Sequence, residues 1–138
     1  MNKKQLKRFI FKEALENSLV TIDKTMNHLI QLSRPKTTIS QSVIERDKEK
    51  TLLNLELELA RYCILLRKLN ENGFIVYTEN ERADINAIIH SNRFDFLNDG
   101  VFVYSQRGRE QVQLDDLLAL GQRVINELNV ALEGTSSH

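Results

Sequence analysis

Two groups of basic residues are the features best suited to chemistry. Lys3, Lys4, Lys7, Arg8 and Lys12 crowd the start of the chain with no carboxylate before Glu13. On a helix they would gather charge at an end whose dipole is already positive, at a small cost in stability, and would be available to a phosphate or an acidic partner. Phe9 and Phe11 lie among them and could stack or touch a membrane surface. Arg107 and Arg109 flank Gly108 at an expected hairpin tip, the placement of a wing that touches DNA backbone or minor groove. Each group also has a plain reading, as a solvated helix end and an exposed turn.

The catalytic inventory is poor. His28 and His90 are not at zinc-site spacing, and the lone Cys63 can neither form an internal disulfide nor complete a sulfur ligand set. Cys63 lies beside an apolar seam with no neighbouring His or cation, so it reads as a small buried hydrophobe. Asp95, Asn98 and Asp99 lack the distal glutamate of a calcium loop and read as a turn. Arg82 and His90 sit eight residues apart, about 80° in azimuth on a helix, too far to converge. No nucleophile elbow, phosphate loop or dinucleotide fingerprint is present. The expectation is a non-enzymatic protein without cofactor or metal. An enzyme would need a pocket lined by His90, Arg93 or Asp95.

The elements that must position these residues begin with two long helices. Over Lys3–Leu32 the apolar residues Leu15, Leu19, Ile22, Met26 and Leu29 step by four and three, and Pro35 closes the segment. From Ser42 to Gly73 the residues Leu52, Leu55, Leu59, Tyr62, Leu66 and Leu69 form a second stripe. Ser42 with Glu45 reads as a capping box, and Gly73 as the left-handed residue that ends the helix. The polar connector Ser33–Gln41 is short enough to fold the two helices into an antiparallel, coiled-coil-like hairpin. The second stripe is the candidate interface for a homodimer.

After Gly73 the pattern changes. Phe74–Tyr77 has strand composition, and residues 79–92 read as a helix in preference to the return strand of a hairpin. Phe94–Leu97, Val101–Tyr104 and a third run in which Val112 and Leu114 alternate with Gln111 and Gln113 read as a three-stranded meander with turns at Asn98–Gly100 and Gln106–Arg109. A last helix, capped by Asp115 or Asp116, carries Leu117, Val124, Leu128 and Ala131 on one stripe, with Leu118, Ile125 and Leu132 beside it, and ends at Gly134. Gly121 on that stripe implies close approach by a neighbouring backbone. LNENGFIVYTENER from Leu69 and LNDGVFVYSQRGR from Leu97 share a turn glycine and a Val-Tyr ending, which raises an internal duplication with neighbouring strands.

The run LLRKLNENGFIVY resembles the junction between recognition helix and wing in winged-helix regulators. That resemblance implies DNA binding, with Arg107 and Arg109 on the wing and the basic first helix alongside. Against it, the helix before Gly73 leaves no interruption for a helix-turn-helix.

Composition sets the class. The 138 residues are 41% hydrophobic and 28% charged, in the range of one soluble globular domain. No run approaches the roughly 18 apolar residues that span a bilayer, and Phe9–Phe11 is cut off too early for a signal-peptide core, so a cytoplasmic setting is expected. Charge is uneven: residues 1–50 hold 11 Lys or Arg against 6 Asp or Glu, and residues 51–138 hold 8 against 13. Such a split favours contact between copies or an anionic partner for the front half. The expected fold is α+β: a helical hairpin over 3–72, a β-meander plus C-terminal helix over 73–134, and a flexible tail at 135–138. The expected function is protein–protein interaction as a homo-oligomer, in the manner of an adaptor, inhibitor or chaperone-like binder, with nucleic-acid regulation as the alternative.

Overall fold

The computed structural model describes residues 1–34, 40–97, 100–105 and 108–136. The chain is mostly helical. Four helices, α1 (Lys3–Leu32), α2 (Gln41–Glu71), α3 (Glu79–Ile89) and α4 (Leu114–Ser136), account for most of the described residues. Between α3 and α4 lie the short strands β1 (Arg93–Leu97), β2 (Gly100–Ser105) and β3 (Gly108–Gln113), in antiparallel order β1-β2-β3. Phe94 stands opposite Val103, and Val101 opposite Val112.

The side chain of Asn2 caps α1 by accepting from the Gln5 amide at 2.8 Å. Helix α2 runs antiparallel to α1, since Lys7 reaches Asn72 while Ser18 reaches Glu58 further along. It ends in a Schellman turn: Gly73 takes φ 76°, its amide donates to Asn70 O, and the Phe74 amide donates to Leu69 O. The start of α2 departs from expectation. Ser40 is the N-cap but its side chain accepts from no backbone amide; its hydroxyl pairs with that of Ser42, and Glu45 accepts from the Gln41 side chain. The capping box forms at α3 instead, where Thr78 and Glu81 exchange both bonds.

Phe74–Tyr77 is not a strand. Ile75 and Tyr77 are buried and Val76 is exposed, so the alternation of a strand is kept while its carbonyls bond elsewhere. The Asn70 amide donates to Ile75 O, and Arg123 donates to Val76 O. The duplication loses its structural counterpart here, because LNENGFIVY carries no strand to lie beside β2. Residues 79–89 are helical. Helix α4 continues through Gly134 to Ser136, and Gly134 does not take the left-handed backbone of Gly73. The connector residues 35–39, the turn residues Asn98, Asp99, Gln106 and Arg107, and the final two residues lie outside the described residues, and with them the expectations placed on Pro35 and on both turns.

One buried cluster joins Leu15 and Ile22 of α1, the inner stripe of α2, Ile85 and Ile88 of α3, Phe94, Val112 and the apolar stripe of α4. Each such side chain contributes about 1.5–3 kcal/mol gross on burial, most of it offset by chain ordering. At its centre the Tyr62 hydroxyl donates to Leu117 O at 2.6 Å, with the phenol ring against Gly121. The close neighbour of Gly121 is thus an aromatic side chain, not the backbone expected from sequence. Burial pushes the Tyr62 phenol up, helped by neighbouring Cys63, while the Gly121 backbone acts the other way.

Candidate functional site

The six-residue stripe of α2 lies inside the chain's own fold. Leu55, Leu59, Tyr62, Leu66 and Leu69 are fully buried, in one cluster with residues of α1, α3 and α4, and Leu52 is half-buried outside that cluster. Periodicity places these residues on one face. It carries no information on what covers that face, and here α1, α3 and α4 close over it.

The opposite side of α2 carries a second apolar row. Leu53 and Leu57 are 54% and 62% exposed, and Ala60 and Ile64 follow half-buried at the same steps of four, three and four. At 100° per residue the four fall within about 60° of azimuth. Charged residues extend the row: Arg46, Glu49 and Lys50 before it, Arg67, Lys68 and Glu71 after it. Arg67 pairs with Glu71 on its own helix at 3.7 Å.

The basic start of α1 is divided in use. Arg8 lies 5.1 Å from the centre of the Phe74 ring, and Phe11 meets the same ring edge-on at 6.4 Å. Lys7 donates to Asn72 Oδ1 at 2.8 Å. Lys12 lies 5.5 Å from the Phe9 ring and 3.6 Å from Glu16. Lys3 and Lys4 are exposed. Arg107 lies outside the described residues, and Arg109 is placed in β3 by its backbone alone. The expectation placed on Arg107 and Arg109 therefore lies outside the described residues and side chains. The helix-to-wing junction does not form, since α2 is continuous and residues 74–78 after Gly73 are not a strand.

Catalytic candidates stay scattered. His28 and His90 are both exposed, the latter at the C-cap of α3. Arg82 stacks on Tyr77 at 5.1 Å. No group of His, Cys, Asp or Glu among the described residues is arranged to hold a metal ion. A cleft of about 380 Å³ opens between α3 and α4, lined by Asn80, Glu81, Asp84, Asp116, Leu120 and Arg123 among others. His90, Arg93 and Asp95 do not line it. Its ionic order is local. Burial pushes the Glu81 carboxyl up, but the Thr78 amide and the Arg123 guanidinium, 3.1 Å away, outweigh this and hold it below the ordinary range. Asp84 goes the other way, raised first by burial and then by Asp116, Glu110 and Glu81. Cys63 is buried and its thiol pushed up by desolvation and by Asp84, so it is inert in the folded chain.

Sequence reasoning passed over Leu53, Leu57, Leu6 and Ile10, all large, apolar and exposed. The four-three-four spacing of the outer row was the available signal, hidden because the same helix carries a stronger stripe. No helix of the described residues is long and apolar enough to cross a membrane. No protein-family model matches the chain, and no curated protein or solved structure shows significant similarity to it.

Proposed function

We propose that the chain is a non-enzymatic interaction module that pairs with a second copy of itself through the outer face of α2. The reading rests on the two leucines left in water, Leu53 and Leu57, in register with Ala60 and Ile64. In an antiparallel pairing about a two-fold axis midway between Leu57 and Ala60, position numbers facing each other sum to a constant. Leu53 then meets Ile64 of the second copy, and Leu57 meets Ala60. The same register sets Arg46 opposite Glu71 and Glu49 opposite Lys68, so charge complementarity extends the apolar row at both ends. One like-charged pair, Lys50 with Arg67, is relieved by the bond of Arg67 to its own Glu71. Together with α1, this gives a coiled-coil-like four-helix contact in which the small sheet and α4 hold each hairpin in shape.

Light scattering over a concentration series tests this. The wild-type chain is expected to reach dimer mass in the micromolar range, and Leu57→Glu to stay monomeric with unchanged helicity. Glu49→Lys weakens the dimer, and the second change Lys68→Glu restores it. A wild-type chain that remains monomeric throughout the series overturns the proposal.

A further inference from the structure

A different surface, at the start of α1, carries an inference independent of dimerisation. We infer that the first turns of α1 seat the protein on an anionic lipid surface. Leu6, Phe9 and Ile10 are 49%, 37% and 56% exposed. At 100° per residue, Phe9, Leu6 and Ile10 occupy an arc of about 100° on the side of α1 opposite Leu15 and Ile22, which enter the core.

Cations border this ridge on both sides. Lys12 lies about 60° beyond Phe9, its ammonium 5.5 Å from the ring, and Lys3 and Lys7 lie about 20° and 60° beyond Ile10. Lys4 adds a charge at the helix start, and Lys7 is held in place by Asn72. Glu13 and Glu16 close the patch one turn further on, which confines it to the first turns. Arg8, Phe11 and Phe74 pack together behind it and fix the helix to the body of the protein.

An apolar ridge with Lys3 and Lys7 along one side and Lys12, paired with Glu16, on the other matches a lipid interface. The ridge enters the boundary between headgroups and acyl chains, while the lysine stems extend sideways to place their charges among lipid phosphates. A nucleic acid would use the charges but leave Leu6 and Ile10 in water. Lys7 and Lys12 have partners within the fold, whereas Lys3 and Lys4 are exposed and oppose the helix dipole.

Co-sedimentation of the full chain with vesicles tests the assignment. Binding is expected to phosphatidylcholine vesicles containing phosphatidylserine, with little to phosphatidylcholine alone, and to weaken as salt is raised. Lys3→Gln with Lys4→Gln should weaken binding about tenfold or more, and Leu6→Ser with Ile10→Ser should abolish it, with helicity unchanged in both. No binding to the phosphatidylserine vesicles overturns the inference. So does undiminished binding by the Leu6→Ser, Ile10→Ser variant, and if that variant and the wild type also bind duplex DNA with the same salt dependence, the patch is a general polyanion surface.

Discussion

Replacing Gly121 with alanine reverses the usual sign of that substitution. In a helix interior Gly→Ala ordinarily stabilises by about 1 kcal/mol. Here the new methyl would lie 2.8 Å from Cε2 and Cζ of Tyr62, and nearer still to its hydroxyl oxygen. The ring has nowhere to go, since Tyr62 is fully buried and its hydroxyl is held by Leu117 O. Overpacking costs about 1–3 kcal/mol and displacing the phenol forfeits a hydrogen bond of about 1 kcal/mol, so after the propensity gain a loss of about 1–3 kcal/mol remains. For a chain of this size that lowers Tm by about 3–10 °C. Urea unfolding followed by far-UV circular dichroism measures it as a lower midpoint at unchanged slope. Tyr62→Phe removes the nearest atom, so in that background the cost of Gly121→Ala should shrink by at least about 0.5 kcal/mol. A Gly121→Ala variant as stable as the wild type, or more so, refutes the packing argument.

Thr78→Ala removes the capping box of α3 and should destabilise by about 1 kcal/mol in the same assay. Gly73→Ala meets no neighbour but must hold φ near 76°, a strain of about 1–2 kcal/mol, and should lower the urea midpoint. The folded chain holds the Asp84 proton more tightly than the unfolded chain, so its ionisation costs stability as pH rises from 3.8 through the raised folded value. Asp84→Asn should therefore raise Tm at neutral pH, and the gain should vanish below pH 3.8 in a pH series of melting curves. Cys63 should react with a thiol reagent only as fast as the chain opens, and labelling that outpaces unfolding would contradict its burial.

Local signals in the sequence were read well where one residue settles the geometry. Gly73 ends α2 because its φ is positive, and the step pattern of Leu15, Ile22, Leu55 and Leu59 identifies residues that do face the core. They were misread where two sites offer the same chemistry. Ser42–Glu45 and Thr78–Glu81 both spell a capping box, yet the hydroxyl of Ser42 is engaged by Ser40, and Thr78 makes the cap. Phe74–Tyr77 has the alternation of a strand, but side chains of Asn70 and Arg123 take its carbonyls. The candidate interface shows the deeper limit. A stripe specifies which residues share a face, and the packing of α1, α3 and α4 decides that Tyr62 and its leucines lie inside while Leu53 and Leu57 lie outside.

The order in which the helices leave the ribosome gives the inner stripe a second life. α2 is complete at Glu71, while α4, which supplies Leu117 and Val124, ends at Ser136. At about 5–20 residues per second, the 65 residues between those ends (136 − 71) take about 3–13 s to synthesise. Through that interval the part of the stripe that α4 covers stays open, and Tyr62 lacks the Leu117 carbonyl it bonds in the folded chain. Chains growing side by side on one messenger could join there, so a holding chaperone, or slow initiation that spaces the ribosomes, would serve the yield of this protein more than any change to its finished surface.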